Sequence, residues 1–194
     1  MPQCRMPQPV RYYVDLGLMS KNVEAGARLE FTEYPLPGFE ADFKGWGVPH
    51  LYLKGISDFG FDVTVGDFYD QFGSGFIFRT YEERSLGIDN SLRGARLNVT
   101  AWKGVQFKVL GGLQRRYWDW KHGAWVGGAD LEMNLEQYSS KMRDKGITWM
   151  VGASGVLKQE GDEDIIVSGT NYRLDLPTTV GAFDVRSRFQ KWKL

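Results

Sequence analysis

The sequence predicts an all-β fold, an antiparallel up-and-down meander of long strands. Two observations predict it. Many segments of about ten residues alternate apolar and polar side chains, which is the period of an extended chain with two unlike faces. The chain also has 24 glycines and 14% aromatic residues but only 7 prolines, a composition typical of many strands joined by turns. Its 194 residues suffice for one domain, which we place at residues 1–194, with residues 1–10 disordered.

The segment VEAGARLEFT, residues 23–32, illustrates the alternation. Its odd-numbered residues are apolar, whereas its even-numbered residues include Glu24, Arg28 and Glu30. Successive side chains of a strand point to opposite faces, so this segment has one dry face and one wet face. The function of the chain depends on what covers the dry face.

The same alternation predicts strands along most of the chain. They lie at residues 12–19, 50–55, 61–69, 94–102, 105–120, 124–137, 147–158 and 182–192, with a short hairpin within 165–176. Only LEQYSSKMRDKG, residues 135–146, has a helical composition, and we interpret it as a helical turn in a connector. Turns within strand pairs are short and connections between pairs are longer, which is typical of an up-and-down meander.

The polar side of the predicted strands carries charges of both signs. Residues 124–137 place Asp130 and Glu132 on one side, and residues 182–192 place Arg186 there. A soluble barrel would turn this side to water and pack the apolar side inside. A membrane barrel would turn the apolar side to lipid and the polar side to the lumen.

Three features favour the membrane. About ten residues tilted near 40° span the roughly 25 Å apolar band of an outer-membrane barrel. Several apolar positions, such as Ala25, Ala27 and Ala129, are small, which lipid tolerates better than a dense core does. Aromatic residues gather at strand ends, as in the two aromatic belts of membrane barrels. These residues are Phe31, Tyr34, Phe68, Tyr69, Tyr117, Trp118, Trp120, Trp125, Trp149 and Trp192.

The sequence therefore predicts a transmembrane β-barrel or a part of one. We count about eight to eleven strands, and lipid-exposed sheet edges are excluded because each unpaired backbone group costs several kcal/mol. No apolar signal segment precedes the strands in MPQCRMPQPV. We accordingly expect an internal piece of a larger barrel in the cell outer membrane, with the lipid bilayer as its main partner.

Charge and cysteine content exclude several classes of function. Lys plus Arg and Asp plus Glu both total 24, so no net field favours nucleic acid. Cys4 is the only cysteine, which rules out internal disulfides and thiol-rich zinc sites. His50 and His122 lie far apart without a partner motif, and we interpret both as surface or interface residues. We expect no metal and no cofactor.

The most unusual segment is GDFYDQFGSGFIFRTYEERSLGIDNSLRGAR, residues 66–96. It is too polar for a plain strand and too aromatic for a loose loop. We interpret it as a constriction or inserted loop that ion pairs hold inside the barrel. The candidate residues are Arg79, Glu82, Glu83, Arg84, Asp89 and Arg93.

A catalytic site in this segment is the weaker interpretation. Glu82 and Glu83 point to opposite sides of an extended chain, which is wrong for acid–base partners. Its GSG lacks the nucleophile-elbow pattern, and no Gly-Lys-Ser/Thr of a phosphate loop follows. We therefore expect no catalytic residues and no enzyme activity.

Other charged residues line the predicted barrel wall. We place Arg28, Glu30, Arg96, Glu132 and Arg186 on the luminal face, where mixed signs favour polar solutes without strong ion selectivity.

Two groups of acidic residues fail the test for calcium sites. Asp62, Asp67 and Asp70, and separately the carboxylates of GDEDI (161–165), lack the ligand spacing of a known calcium loop. We interpret them as solvated loop charges.

Three segments resemble a known family. ADFKGWGVPHLYLKG, the unusual segment 66–96 and LGGLQRRYWDW are similar to proteins of Gram-negative Bacteroidota in the domain-of-unknown-function 6029 family. The resemblance extends from about residue 11 to the end and implies an outer-membrane β-barrel several hundred residues long with a signal peptide. This chain lacks that peptide and ends in Leu194 rather than a terminal aromatic residue, which agrees with a partial chain. The resemblance implies no activity, substrate or catalytic residue.

Three hypotheses of function follow. The first is a structural or transport-type, porin-like outer-membrane barrel that passes small polar solutes. The second is a soluble antiparallel β-barrel that binds an apolar ligand inside. The third is a barrel enzyme with a site around Arg79–Arg93. We favour the first.

Overall fold

A computed structural model describes residues 11–33, 44–83, 86, 88–100, 102–115, 123–161, 165–166, 173–174 and 178–192. Strands dominate these residues. They are β1 (Arg11–Met19), β2 (Val23–Thr32), β3 (Gly45–Ser57), β4 (Phe61–Phe68), β5 (Glu82–Glu83), β6 (Ile88–Asp89), β7 (Leu92–Val99), β8 (Val105–Gln114), β9 (Trp125–Asn134), β10 (Ile147–Gln159), β11 (Ile165–Ile166), β12 (Arg173–Leu174) and β13 (Thr179–Lys191). A 3₁₀ turn (Leu135–Gln137) and a short helix α1 (Ser140–Asp144) lie between β9 and β10.

Nine strands form one antiparallel sheet in the order β1-β2-β3-β4-β7-β8-β9-β10-β13. Each long strand pairs with the next along the chain, which confirms the predicted all-β meander. The pairs β5–β6 and β11–β12 are separate two-stranded ribbons. Among the described residues, β1 and β13 each pair with one strand, β2 and β10 respectively.

The predicted strands agree closely with those observed. The strand predicted at residues 23–32 has the same bounds in β2, and the connector predicted as helical contains the 3₁₀ turn and α1. The strand predicted at residues 105–120 ends earlier, at Gln114, and residues 116–122 lie outside the described part. Residues 1–10, predicted to be disordered, also lie outside it. No helix among the described residues is long and apolar enough to cross a membrane.

The two ends of the sheet differ in the length of their connections. Residues 20–22, 58–60, 100–104 and 135–146 join strands at one end, which we name the short-turn edge. Residues 33–44, 69–91, 115–124 and 160–178 join strands at the other end, which we name the long-loop edge. The difference in connection length expected from the sequence is therefore present for three of the four connections at the short-turn edge, whereas the fourth, 135–146, is as long as 33–44.

The burial of the two faces is the reverse of that in a soluble sandwich. In β4, Val65 is 55% exposed whereas its neighbour Thr64 is 2% exposed. In β9, Leu131 is 42% exposed whereas its neighbour Asp130 is 3% exposed. We name the side that carries Thr64 and Asp130 the polar face, and the opposite side the apolar face.

Aromatic residues flank the apolar face near both edges. Near the long-loop edge, Phe31 packs against Trp46 with ring centroids 5.0 Å apart. Near the short-turn edge, Trp149 and Phe189 meet edge to face at 6.4 Å. Phe68, which we predicted in this belt, is instead buried, because its side chain lies on the polar face of β4. Tyr34, Tyr117, Trp118 and Trp120 lie outside the described residues.

Glycines let neighbouring strands approach on the polar face. Gly94 in β7 pairs with Gly112 in β8, and a Cβ on Gly94 would overlap the carbonyl oxygen of Gly111. Gly66 has a φ of 105°, a left-handed conformation that L side chains rarely adopt, and it ends the pairing of β4 with β3 at Tyr52. Beyond Gly66, the side chain of Asp67 accepts a hydrogen bond from the Leu51 amide at 2.7 Å in place of a backbone partner.

Candidate functional site

The connection between β4 and β7, residues 69–91, lies against the polar face of the sheet. We name it the inserted loop; residues 84, 85 and 87 are outside its described part. The loop contacts Arg28 of β2 through Glu82 and Arg186 of β13 through Gly73. Six strands lie between β2 and β13 in the sheet order. The sheet therefore curls around the loop, with the polar face on the enclosed side.

Asp70 anchors the start of the inserted loop to the sheet. Its carboxylate, 5% exposed, accepts hydrogen bonds from Arg96 Nη1 at 3.0 Å and from Lys108 Nζ at 2.8 Å. Arg96 lies on β7 and Lys108 on β8, so one hairpin supplies both cations. Thr80 Oγ1 accepts a 2.8 Å hydrogen bond from the Asp70 amide, which joins the two arms of the loop.

Two phenylalanines fix the loop by apolar contact. The Phe72 and Phe78 rings lie 4.8 Å apart between centroids, and Phe72 is 1% exposed. They form the core cluster of the described residues with Phe68, Leu92, Leu110 and Val126. A Cβ on Gly128 of β9 would lie 2.7 Å from the Phe72 ring, so this glycine makes room for the ring.

Arg28 of β2 holds the far arm of the loop. Its Nη1 donates to Glu82 Oε1 at 2.7 Å and its Nε donates to Asp15 of β1 at 2.6 Å. One guanidinium thus joins the loop to the first two strands. Glu30, also on β2, is 3% exposed and forms an ion pair with Arg11.

A second ionic cluster lies at the long-loop edge. Arg93 binds both carboxylate oxygens of Asp67, through Nε at 2.9 Å and Nη2 at 2.6 Å. Asp89 accepts hydrogen bonds from Arg115 at 3.1 Å and from the Tyr69 hydroxyl at 3.0 Å. Arg115 also donates to the Pro49 carbonyl.

Burial and the negative charge of Asp89 raise the pKa of the Tyr69 phenol well above its usual range. The phenol therefore keeps its proton and remains a donor to Asp89. Burial lowers the pKa of the Arg115 guanidinium, although Asp89 opposes this shift.

Arg186 of β13 crosses the polar face of the last three strands. It contacts Asp130 and, at 2.8 Å, Glu132, both on β9. It also donates to Ser154 of β10 at 2.6 Å. A Cβ on Gly73 would overlap its guanidinium, so the inserted loop lies directly against this group.

Three members of the predicted constriction set form ion pairs with residues elsewhere in the fold. Glu82 binds Arg28, Asp89 binds Arg115 and Arg93 binds Asp67.

Two other members of the set are exposed. The Arg79 guanidinium lies 5.2 Å from the centroid of the Tyr81 ring, and Glu83 is exposed in β5. Arg84 lies outside the described residues. The predicted wall residues Arg28, Glu30, Arg96, Glu132 and Arg186 all lie on the polar face.

One prediction about polar residues was wrong. Asp67 and Asp70 are not solvated loop charges, because both side chains are buried and Arg93, Arg96 and Lys108 neutralise them. His50, predicted to be a surface or interface residue, is half-buried and stacked on the Tyr69 ring at 5.5 Å between centroids. No group of three metal-ligating side chains occurs among the described residues.

Sequence reasoning missed Lys108 and Arg115, which carry two of the contacts to the inserted loop. Lys108 lies at a polar-face position of β8, so the alternation could have predicted that its side chain lies on the same face as the inserted loop. Arg115 follows the end of β8, where the alternation no longer indicates on which face of the sheet a side chain lies.

The model of one protein family matches residues 8–194, nearly the whole chain. Its description is a family of unknown function, DUF6029. The chain belongs to the DUF6029 family. Membership confirms the resemblance found in the sequence and leaves the function to be inferred from the fold and the site. This DUF6029 chain has no match among curated proteins.

We expect Asp70→Asn to loosen the inserted loop. The substitution leaves Arg96 and Lys108 without their shared carboxylate in an enclosed site, a loss on the order of 3 kcal/mol for a buried pair. Trypsin cleavage after the exposed Arg79, followed by mass spectrometry, should accelerate at least about tenfold.

Asp58→Asn is the matched control. It removes an equally short contact, 3.0 Å from Lys21, but both side chains are more than half exposed and the pair contributes little. Equal cleavage rates in the two variants would contradict the anchoring role of Asp70.

Proposed function

We propose that the chain forms the wall of an outer-membrane β-barrel whose lumen the inserted loop narrows. The observation that supports this most is the reversed burial of the sheet. Asp130 and Thr64 are almost inaccessible while their neighbours Leu131 and Val65 are exposed. In water this arrangement would expose apolar surface along every strand, whereas in a bilayer it puts hydrocarbon on the apolar face.

The lengths and edges of the strands agree with this proposal. Strands of about ten residues, tilted, span the apolar band of an outer membrane. Aromatic residues such as Trp46 and Trp149 flank the exposed face near the two edges, where headgroups would lie. Short turns at one edge and long loops at the other are the usual asymmetry of such barrels.

We further propose that small polar solutes pass this lumen and that the protein is not an enzyme. The enclosed face pairs acids with bases, as in Arg186 with Asp130 and Arg96 with Asp70, so it carries mixed charge of no dominant sign. Mixed charge favours polar solutes of either sign. Glu82 and Asp89 are held by guanidinium groups, which suits structural rather than acid–base roles.

The soluble barrel with an apolar ligand is less well supported. It requires an apolar interior, and the enclosed face carries Asp130 and Thr64 at 3% exposure or less.

Fractionation tests the membrane location. The protein, produced from its own gene, should stay with the membrane after carbonate washing and should shift in gel mobility on heating, because barrels resist detergent until heated. Recovery in the soluble fraction together with binding of a fluorescent fatty-acid probe would support the soluble alternative.

Leu131→Arg tests the apolar face. If Leu131 meets the middle of the bilayer, the free energy of unfolding in lipid vesicles should fall by about 2–4 kcal/mol. Phe59→Arg is the control, because Phe59 is 80% exposed in a turn at the short-turn edge, where arginine costs roughly 0–1 kcal/mol. Similar losses in urea titrations of both variants would oppose the assignment.

Liposome swelling tests the passage of solutes. Vesicles that contain the protein should admit a small neutral sugar, and Asp70→Asn should raise the swelling rate because the loosened loop obstructs the lumen less. Asp58→Asn should leave the rate unchanged. A protein that inserts but gives no swelling in any variant would be a structural barrel.

A further inference from the structure

The first part of the inserted loop, residues 70–80, is a small hairpin that lies near mid-height on the polar face. Backbone hydrogen bonds of 2.8 and 3.1 Å join its two arms. At its tip, a Cβ on Gly73 would overlap the Arg186 guanidinium, and Arg186 pairs with Gly152 near the middle of β13 and β10. The tip therefore lies deep within the enclosed space and not at the long-loop edge.

This hairpin has a buried side and an exposed side. The buried side chains, each at most 8% exposed, are Asp70, Phe72, Phe78 and Thr80. Gln71 and Arg79 lie opposite each other in an antiparallel bridge, and both are exposed. Because neighbouring residues of an extended chain point to opposite sides, Gln71 and Arg79 face away from the sheet. They face the space through which a solute would move.

An aromatic ring holds Arg79 on the exposed side. Its guanidinium lies 5.2 Å from the centroid of the Tyr81 ring, and a Cβ on Gly75 would lie 3.3 Å from its Cδ. Arg96 and Arg186, in contrast, bind carboxylates of the loop and the sheet. In the described part of the chain, no carboxylate lies within 4.0 Å of the Arg79 guanidinium. A guanidinium positioned in this way can bind the carboxylate of a solute through its fork of N–H donors.

Two neighbours of Arg79 offer further contacts to a solute. Phe76, at the turn of the hairpin, is 86% exposed, so its ring is open to stacking. The Gln71 amide donates to the Gly73 carbonyl at 3.2 Å, and its Oε1 beside Gly75 can accept a hydrogen bond from a hydroxyl group. A cation, a hydroxyl acceptor and an aromatic ring together suit a solute that carries a carboxylate and hydroxyl groups on a ring.

We propose that Arg79, Gln71, Tyr81 and Phe76 form a binding site for sugar acids inside the barrel. Arg79 binds the carboxylate, Gln71 accepts from a hydroxyl group and Phe76 stacks on the sugar ring. Tyr81 is a positioning residue that holds the Arg79 guanidinium. The inference rests on the proposed function and deepens it, since it names an anionic class of solute for a lumen whose wall carries mixed charge.

Saturation-transfer difference NMR on the detergent-solubilised protein, produced from its own gene, tests the site. The probes are glucuronate and glucose, which lacks the carboxylate. The unaltered protein should bind glucuronate at least about tenfold more tightly, and Arg79→Gln should abolish this preference. Arg79→Lys should retain part of it, because lysine keeps the charge and loses the fork. Tyr81→Leu should weaken glucuronate binding and Tyr81→Phe should not, because the phenylalanine ring still supports the guanidinium.

Lys103→Gln is the matched control, because Lys103 is an exposed cation in a turn at the short-turn edge. It should leave both affinities unchanged. Chymotrypsin cleavage after the exposed Phe76 should be equally fast in Arg79→Gln and in the unaltered protein, since Arg79 does not anchor the loop. Faster cleavage would assign the lost binding to a loosened loop and overturn the direct contact. Equal affinities of the unaltered protein for the two sugars, or a preference that persists in Arg79→Gln, would also overturn the inference.

Currents in planar bilayers separate this inference from the proposed function. Glucuronate should reduce the ionic current through the unaltered protein and should not reduce the current through Arg79→Gln. A current that glucuronate and glucose reduce equally would overturn the site and leave the lumen intact. Glucuronate binding that depends on Arg79, in a protein that carries no current, would overturn the passage of solutes and leave the site.

Discussion

Ion pairs on the enclosed face of the sheet are the constraint on which the rest of this fold depends. A carboxylate such as Asp130, removed from water, is stable only beside a cation that reaches it, and Arg186 extends across three strands to do so. The strands must therefore hold a fixed register, since a slip of one residue would turn every charge to the other face. Close glycine contacts such as Gly94 with Gly112 reinforce that register, because a shifted strand would bring a side chain against a backbone carbonyl.

The inserted loop follows from the same constraint. A curled sheet with a charged concave face encloses a polar space. The loop fills part of this space with side chains whose charge or polarity complements the residues that they contact. Asp70 meets Arg96 and Lys108, while Phe72 and Phe78 occupy an apolar region of that face. The loop is thus held at one end by charge and in the middle by packing. The ion pairs and the apolar contacts strengthen each other, because each excludes water from the other.

Strand positions could be predicted because they depend on a local period of two. β2 was predicted residue by residue, and the connector before β10 was recognised by its composition. The inserted loop was recognised as unusual, but the partners of its charges could not be predicted. Arg28 and Glu82 meet across the sheet, 54 residues apart, and only the curvature of the sheet brings them together. Phe68 was placed wrongly although the alternation of β4 puts it on the same side as Thr64, because an aromatic residue at a strand end was interpreted as part of a belt.

The short turns have a consequence for assembly. Turns of a few residues, such as 20–22 and 58–60, cost little entropy to close, so each hairpin can form early and independently. The inserted loop is different, because its docking site is completed by the hairpin that comes after it in the chain. The contacts of Asp70 can form only after β7 and β8 have paired and brought Arg96 and Lys108 side by side. Docking of the loop is therefore a late event, and it can serve as a checkpoint that the central hairpin has paired in the native register.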